Sequence, residues 1–323
     1  MSGGINVVYV TCRADPRFDW FADSLARQTD GSDMEVIIVD GHWSAARTEL
    51  FEAQARGRFP LRHVAAKPTP NAGPHRLTRV DHFSAASARN TAAIYASGSY
   101  LVYADDLSVV MPGWWAEVQS AAAAGDVIGG AYQKHNGMVV EDGLLISSRC
   151  EANGIDTRWP QAGDSGRVTL PGAQLYGCSF GVPLELMLSI NGFDELCDRT
   201  GGEDWHFGQR LEWSGATIRY SRHMLTIEST ELHAIGTPAR RTAKFLPPHL
   251  YLRRLRDFGV AQRTTSQQWD NGHMIVDLTF GVRSTQTLGN YYLLSTLTPG
   301  TLSATVARFP RLDWFDDQPL SQL

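Results

Sequence analysis

Cysteine is scarce in this chain, and the little there is lies scattered. Cys12, Cys150, Cys178 and Cys197 form no C-x-x-C pair. That argues against a zinc ribbon or a disulfide framework and makes a reducing cytoplasm the default expectation. No apolar run approaches the roughly 20 residues that span a bilayer. The start, Met1-Ser2-Gly3-Gly4, lacks the basic segment and apolar core of a signal peptide. Positive charge is not in excess either: 29 Lys and Arg stand against 34 Asp and Glu, a net charge of −5. The chain as a whole is therefore not a basic nucleic-acid binder. There is no internal repeat. A nucleotidyltransferase should carry a Gly-rich, Lys/Arg-bearing loop directly after its first strand; Thr11-Cys12-Arg13-Ala14-Asp15 is not one.

What remains is an ordinary globular composition, 43% hydrophobic and 20% charged over 323 residues. That is enough for one large α/β domain with an extension. Residues 5–11, 36–40 and 61–66 read as buried strands, with helices over 18–28 and 44–56 between them. Alternation of this kind implies a parallel sheet with right-handed crossovers. A long connection, 67–83, is rich in Pro, Gly, Arg and His, and such loops are often functional. A helix over 85–96 carries Arg89-Asn90, and a strand over 100–104 follows it. A helix over 114–124, a strand over 127–132 and a hairpin over 133–147 come next. Residues 150–172 read as loop, 176–182 as a strand with Pro183 opening a short helix, and Asn191-Gly192-Phe193-Asp194-Glu195 as a turn. Gly201-Gly202-Glu203-Asp204 opens a helix that ends at Gly215. Two further strands, 218–220 and 224–227, close the pattern. From Thr237 it breaks into a Pro/Arg-rich tail whose clearest helix is 288–297.

The strand over 100–104 ends in two adjacent carboxylates, Asp105 and Asp106. Ligands of open α/β sheets bind beyond the carboxyl ends of the strands. Two acids there make a hard-oxygen site for Mg²⁺ or Mn²⁺, and such a metal would carry a diphosphate. By itself the pair reads equally as a solvated turn.

Four elements in order make a stronger pattern: the strand-end Asp40, Ala88-Arg89-Asn90, Asp105-Asp106, and Gly202-Glu203-Asp204 after Asn191-Gly192-Phe193-Asp194. Together they resemble a GT-A fold nucleotide-sugar glycosyltransferase, similar to glycosyltransferase family 2, over about residues 5–235. The resemblance implies a Rossmann-like, mostly parallel sheet flanked by helices, spanning 1–235, with a basic C-terminal extension, 236–323, packed on it. It implies that Thr11, Arg13 and Asp40 bind the nucleoside of a UDP-sugar, although Asp40 could equally cap a helix. Arg89 would sit near the diphosphate, with Arg76 of the preceding loop. Asp105 would contact the ribose and Asp106 the Mn²⁺ or Mg²⁺, with His233 as a further metal ligand or else a turn histidine. The bare Asp-Asp, flanked by Ala104 and Leu107, departs from the family's D-x-D pattern. Asp204, with Glu203 second, would be the base that takes the acceptor's proton in an inverting transfer, and an acid there also caps a helix. Trp205 could stack on a sugar, and core packing is the alternative.

Lys67-Pro68, Gly73-Pro74-His75-Arg76-Leu77-Thr78, Ala88-Arg89-Asn90-Thr91, Asp105-Asp106-Leu107-Ser108-Val109, Leu175-Tyr176-Gly177-Cys178-Ser179 and Glu228-Ser229-Thr230-Glu231-Leu232-His233 further resemble the TET-associated glycosyltransferases. That resemblance implies a DNA acceptor, 5-hydroxymethylcytosine, in a bacterial or phage-infected cytoplasm. A basic run fits it: Arg240, Arg241, Lys244, Arg253, Arg254, Arg256 and Arg263 against the single acid Asp257. Such a stripe can hold a phosphate backbone or can simply be solvated. A polysaccharide or other glycan is the alternative acceptor. A non-catalytic sugar-nucleotide-binding module is less expected, because it should have lost the acids.

Overall fold

The computed structural model describes residues 4–69, 72–73, 83–198, 202–233, 267–270, 273–276, 287, 290 and 292–302. The first half follows the expected alternation: β1 (Ile5–Thr11), α1 (Phe18–Ala26), β2 (Met34–Asp40), α2 (Ala45–Ala55), β3 (Leu61–Ala65), α3 (Ala85–Tyr95) and β4 (Tyr100–Asp105). Ser44 caps α2 by accepting from the Arg47 N–H, 3.3 Å away. Next come β5 (Ser108–Val110), α4 (Trp114–Ala124), β6 (Val127–Glu141), β7 (Leu144–Ile155), β8 (Arg167–Leu170) and β9 (Ser179–Pro183). The run ends with α5 (Leu184–Ser189), α6 (Glu203–Trp213), β10 (Ile218–Ser229) and a single turn, α7 (Thr230–His233). Two short strands, β11 (Gln267–Asp270) and β12 (His273–Val276), pair only with each other.

Ten strands form one sheet in the order β3-β2-β1-β4-β9-β6-β10-β5, with β7 beside β6 and β8 beside β10. β1, β2, β3, β4, β6 and β10 run one way; β5, β7, β8 and β9 oppose them. The mostly parallel α/β sheet expected from the sequence is thus what forms. Period-two alternation along β1 sorts its side chains to two cores. Val7 and Tyr9 meet Phe18, Phe21, Phe51 and Trp114 of α1, α2 and α4. Val8 and Val10 meet Ala88, Met187, Phe207 and Leu211 of α3, α5 and α6. Both faces being covered, β1 shows an almost unbroken apolar run.

Three expectations are corrected. Residues 150–172, read as loop, hold the end of β7 and all of β8. The two strands read over 218–227 are one, β10, whose pairing with β6 shifts between Ser221 and Leu225, as at a bulge. The helix read over 288–297 is, among the described residues, only a turn of 3₁₀ helix at Leu294–Thr296.

The returning segment around Tyr292 docks on the turn after α5. Asn191 sits there at φ 61°, a left-handed geometry that Asn tolerates better than most residues. Its amide donates to Tyr292 O and Thr287 Oγ1, both at 2.8 Å, and accepts from the Leu294 N–H at 2.6 Å. Asn290 Oδ1 accepts from the Glu195 N–H at 3.0 Å. Tyr292 donates to the Glu195 carboxylate, whose other oxygen receives Lys67 Nζ at 2.8 Å. From α3, Asn90 donates to Phe193 O and accepts from the Phe193 N–H. The turn that leads into α6 is therefore held by α3 on one side and by residues about a hundred positions later on the other.

Candidate active site

Asp105 and Asp106 are neighbours in sequence with different surroundings. The cause is Leu107, a fully buried leucine at φ 61°. A bulky residue in the left-handed region is strained and persists only where its surroundings fix it. Here the Leu107 N–H donates to Pro16 O and its carbonyl accepts from the Ser229 N–H, both at 3.0 Å.

Asp105 joins the arginine that opens the deepest part of the site. Arg89, from α3, donates through Nη1 to Glu203 Oε1 at 2.8 Å and through Nη2 to Asp105 Oδ1 at 3.1 Å and Gly177 O at 3.3 Å. Burial alone would disfavour its charge. Asp105, Glu203 and Asp204 outweigh burial and hold the guanidinium protonated, above its ordinary value. A Cβ at Gly177 would lie 2.5 Å from Arg89 Nη2, so any larger residue there would displace the guanidinium. The Gly177 N–H donates to Asp204 Oδ2 at 2.7 Å, and the Trp205 N–H holds Oδ1 at 2.8 Å. Burial, then the neighbouring Glu203 charge, push the Asp204 carboxyl up to about 6, against Arg89 and the two backbone N–H groups. A carboxylate with that value at a helix N-terminus is suited to accept a proton near neutral pH.

Asp106 faces the other way. Thr11 Oγ1 donates to its Oδ2 at 2.7 Å and Arg13 Nε to its Oδ1 at 3.1 Å. Burial, with a smaller push from Asp105, raises this carboxyl to about 6 despite those donors. Arg13 also reaches Leu232 O at 3.4 Å, tying the end of β1 to α7. Asp40, expected to meet a nucleobase or cap a helix, leaves the cap of α2 to Ser44 and is held among three donors. Its Oδ2 accepts from Arg47 Nε at 2.6 Å and contacts His63 Nε2 at 3.2 Å, and its Oδ1 accepts from the His42 N–H at 2.8 Å. Burial opposes its charge, but these donors prevail and hold the carboxyl below its ordinary value. Through Arg47, which donates to Ala14 O and Arg13 O, Asp40 braces the loop that carries Arg13.

The structure thus brings Arg89, Asp105, Glu203 and Asp204 into one network, and Thr11, Arg13 and Asp106 into its neighbour. Arg89 is shared between Glu203, Asp105 and the Gly177 carbonyl. Trp205 is half-buried on α6, its ring centroid 5.9 Å from His206. His233 ends α7, and its side chain lies outside the described residues, as do Arg76, Arg240, Arg241, Lys244, Arg253 and Arg254.

Sequence reasoning missed Arg47, His63, Gly177 and the pair Asp156–Arg158. Arg158 is 1% exposed, meets Asp156 Oδ2 at 2.6 Å, and lies between the rings of Tyr176 and Tyr220. An Asp-x-Arg inside a polar stretch was the available signal. Another near pair is inert. Cys197 Sγ lies 3.1 Å from His206 Nδ1, but burial drives the thiol up and, with Arg210, the imidazole down to about 3. Both stay neutral, so this is not a nucleophile–base dyad.

Among the described residues no group of three or more His, Cys, Asp or Glu is gathered to hold a metal ion. Asp106, the expected ligand, accepts one hydrogen bond on each oxygen, from Thr11 and Arg13. Asp105 is the exposed member, its side chain 37% accessible. One exposed carboxylate does not by itself fit a divalent cation, which needs several oxygen ligands.

No family model matches the sequence, and no curated protein matches it. Solved structures do. TarS 1–349 from S. aureus in complex with UDP-GlcNAc superposes with a TM-score of 0.54 at 13% identity, covering 78% of this chain and 64% of that one. The same protein in complex with UDP gives 0.48 at 13% identity, with 70% and 60% covered. The chain spans less than two thirds of these structures. At this identity the likeness shows the fold, which is of the GT-A glycosyltransferase type.

Proposed function

We propose that this chain is a glycosyltransferase that moves a sugar, with inversion, from a UDP-sugar to a hydroxyl acceptor. One observation carries the reading: Arg89 joins Asp105, at the carboxyl end of β4, to Glu203 beside the raised carboxyl of Asp204. A nucleotide sugar at the strand ends would meet Arg13 and Arg89, whose guanidiniums suit phosphate oxygens. Asp204 takes the proton of the attacking hydroxyl, and Glu203 holds Arg89 in place. The C–O bond to the acceptor forms as the bond to the diphosphate breaks, so UDP leaves as the anion. UDP-GlcNAc, which TarS binds in its crystal, is the first donor to test. A Mn²⁺ or Mg²⁺ ion would in this reading be held by the Asp105–Asp106 pair, with His233 as the further expected ligand.

Of the two acceptors, 5-hydroxymethylcytosine in DNA draws its support from the basic run after residue 236, which lies outside the described residues. A glycan draws support from the cleft itself. The test is calorimetry and product analysis on the full chain. UDP-GlcNAc should bind, and Asp204→Asn should abolish transfer while leaving UDP affinity unchanged. Full activity in that variant would remove Asp204 from the chemistry, and absence of UDP binding would overturn the reading. Loss of UDP affinity on adding EDTA would support the ion; identical affinity with and without it would dismiss it.

A further inference from the structure

The cleft has a second wall that the donor chemistry does not use. Tyr132 lies on β6, and Tyr176 on the segment entering β9. Their ring centroids are 6.1 Å apart and inclined at 52°. Both are half-buried. Tyr176 is held from behind, with the Arg158 guanidinium 4.1 Å from its ring centroid. That guanidinium is locked to Asp156, Gly130 O and Gln174 O. A swing of the ring would give up that contact with the guanidinium. At its other end, the Tyr176 hydroxyl meets only Thr157 Oγ1 among the described residues, at 3.4 Å.

This wall adjoins the reacting groups. Gly177, the next residue, binds Asp204 and Arg89, and Cys178 O accepts from the Asp105 N–H at 3.1 Å. Lys134 Nζ stands 6.0 Å from the Tyr132 ring centroid and 3.8 Å from Glu228 Oε2. Glu228 in turn pairs across the sheet with Ser108, two residues from Asp106. Two rings, an ammonium and a carboxylate thus line one side of the site.

We propose that Tyr132 and Tyr176, with Lys134 at the rim and the buried Glu228 beneath it, bind a sugar ring of a glycan acceptor and turn its hydroxyl toward Asp204. The inference rests on the glycosyltransferase reading above. A sugar ring has an apolar C–H face, which packs on an aromatic surface. It also has hydroxyls that both donate and accept, which Glu228 and Lys134 answer in turn. A flipped base is read by stacking between side chains, which calls for nearly parallel planes. Rings at 52° do not offer that slot. The carboxylates Asp105, Asp204 and Glu228 would also repel a phosphate backbone.

The test uses the full chain saturated with UDP on an array of hexose- and N-acetylhexosamine-terminated oligosaccharides, with a hydroxymethylated DNA duplex alongside. The strongest glycan is then titrated against variants. Tyr176→Ala should weaken it at least tenfold and Tyr132→Ala several-fold. Tyr176→Phe should bind like the parent, and UDP affinity should not move in any of them. Should Tyr176→Ala fail to fold, Tyr132→Ala and Lys134→Ala carry the comparison. Unchanged glycan affinity in the folded alanine variants overturns the proposal. So does UDP binding with no glycan bound, or with DNA bound alone, and both of those leave the donor reading standing. Failure of the parent chain to bind UDP removes the donor reading and this proposal together.

Discussion

Arg89 and Arg158 are both buried arginines beside acids, and they behave differently. Arg158 has one acid. Its Nε and Nη2 reach both oxygens of Asp156, its remaining donors reach Gly130 O and Gln174 O, and a tyrosine ring covers each face. Arg89 has two acids from different elements, one of them partly exposed, and its Nε has no hydrogen-bond partner among the described residues. A saturated buried pair leaves a ligand nothing to bind and serves the fold. Arg89 instead joins β4 to α6, and the proposed site rests on that junction.

The contrast breaks most visibly at Arg158. Arg158→Ala leaves Asp156 buried without its partner, which should cost about 3–5 kcal/mol in urea denaturation. A loss below about 1 kcal/mol would place the two arginines in one class. Arg89→Lys keeps the charge and loses the fork, so stability should fall by less than about 1.5 kcal/mol while kcat falls about 100-fold. A charge-removing variant sharpens the comparison through pH. Transfer should rise through about pH 6 as Asp204 loses its proton, and Arg89→Gln should move that limb upward, because the Arg89 charge, with the Gly177 and Trp205 N–H groups, lowers the Asp204 carboxyl. A pH–rate profile that does not move would uncouple the two residues. The smallest effect is on stability. The folded-state value of Asp204 lies above its unfolded one, so its contribution is fully present below about pH 4 and lost as pH rises through about 6. Between pH 4 and pH 8, thermal denaturation should therefore shift by about 1 kcal/mol in favour of Asp204→Asn over the parent, a figure discounted because the residue is half-buried.

What the sequence made legible was whatever local patterning decides. β1, β2, β3 and α3 lie where apolar runs and helix signals put them, and Asp105, Glu203 and Asp204 are acids at element ends. What it hid was set by distant partners. The β6–β7 arm is largely exposed on both sides, so its residues, Leu-Leu-Ile-Ser-Ser-Arg-Cys-Glu in β7, carry no clean period of two. Nothing local announces that Arg47 and His63 converge on Asp40. The two fates of Asp105 and Asp106 depend on one backbone angle at Leu107, and a leucine gives no warning of a left-handed turn.

The turn after α5 also has a consequence for how the chain is made. Asn191 and Glu195 obtain partners from Asn290 and Tyr292, 95 to 101 positions later. A ribosome adds about 5–20 residues per second, so that stretch takes on the order of 5–20 s. For that interval the nascent chain holds both arms of its cleft with the turn between them only half secured. A chaperone or a protease therefore has its opening there, because the turn that leads into α6 is completed only late in translation.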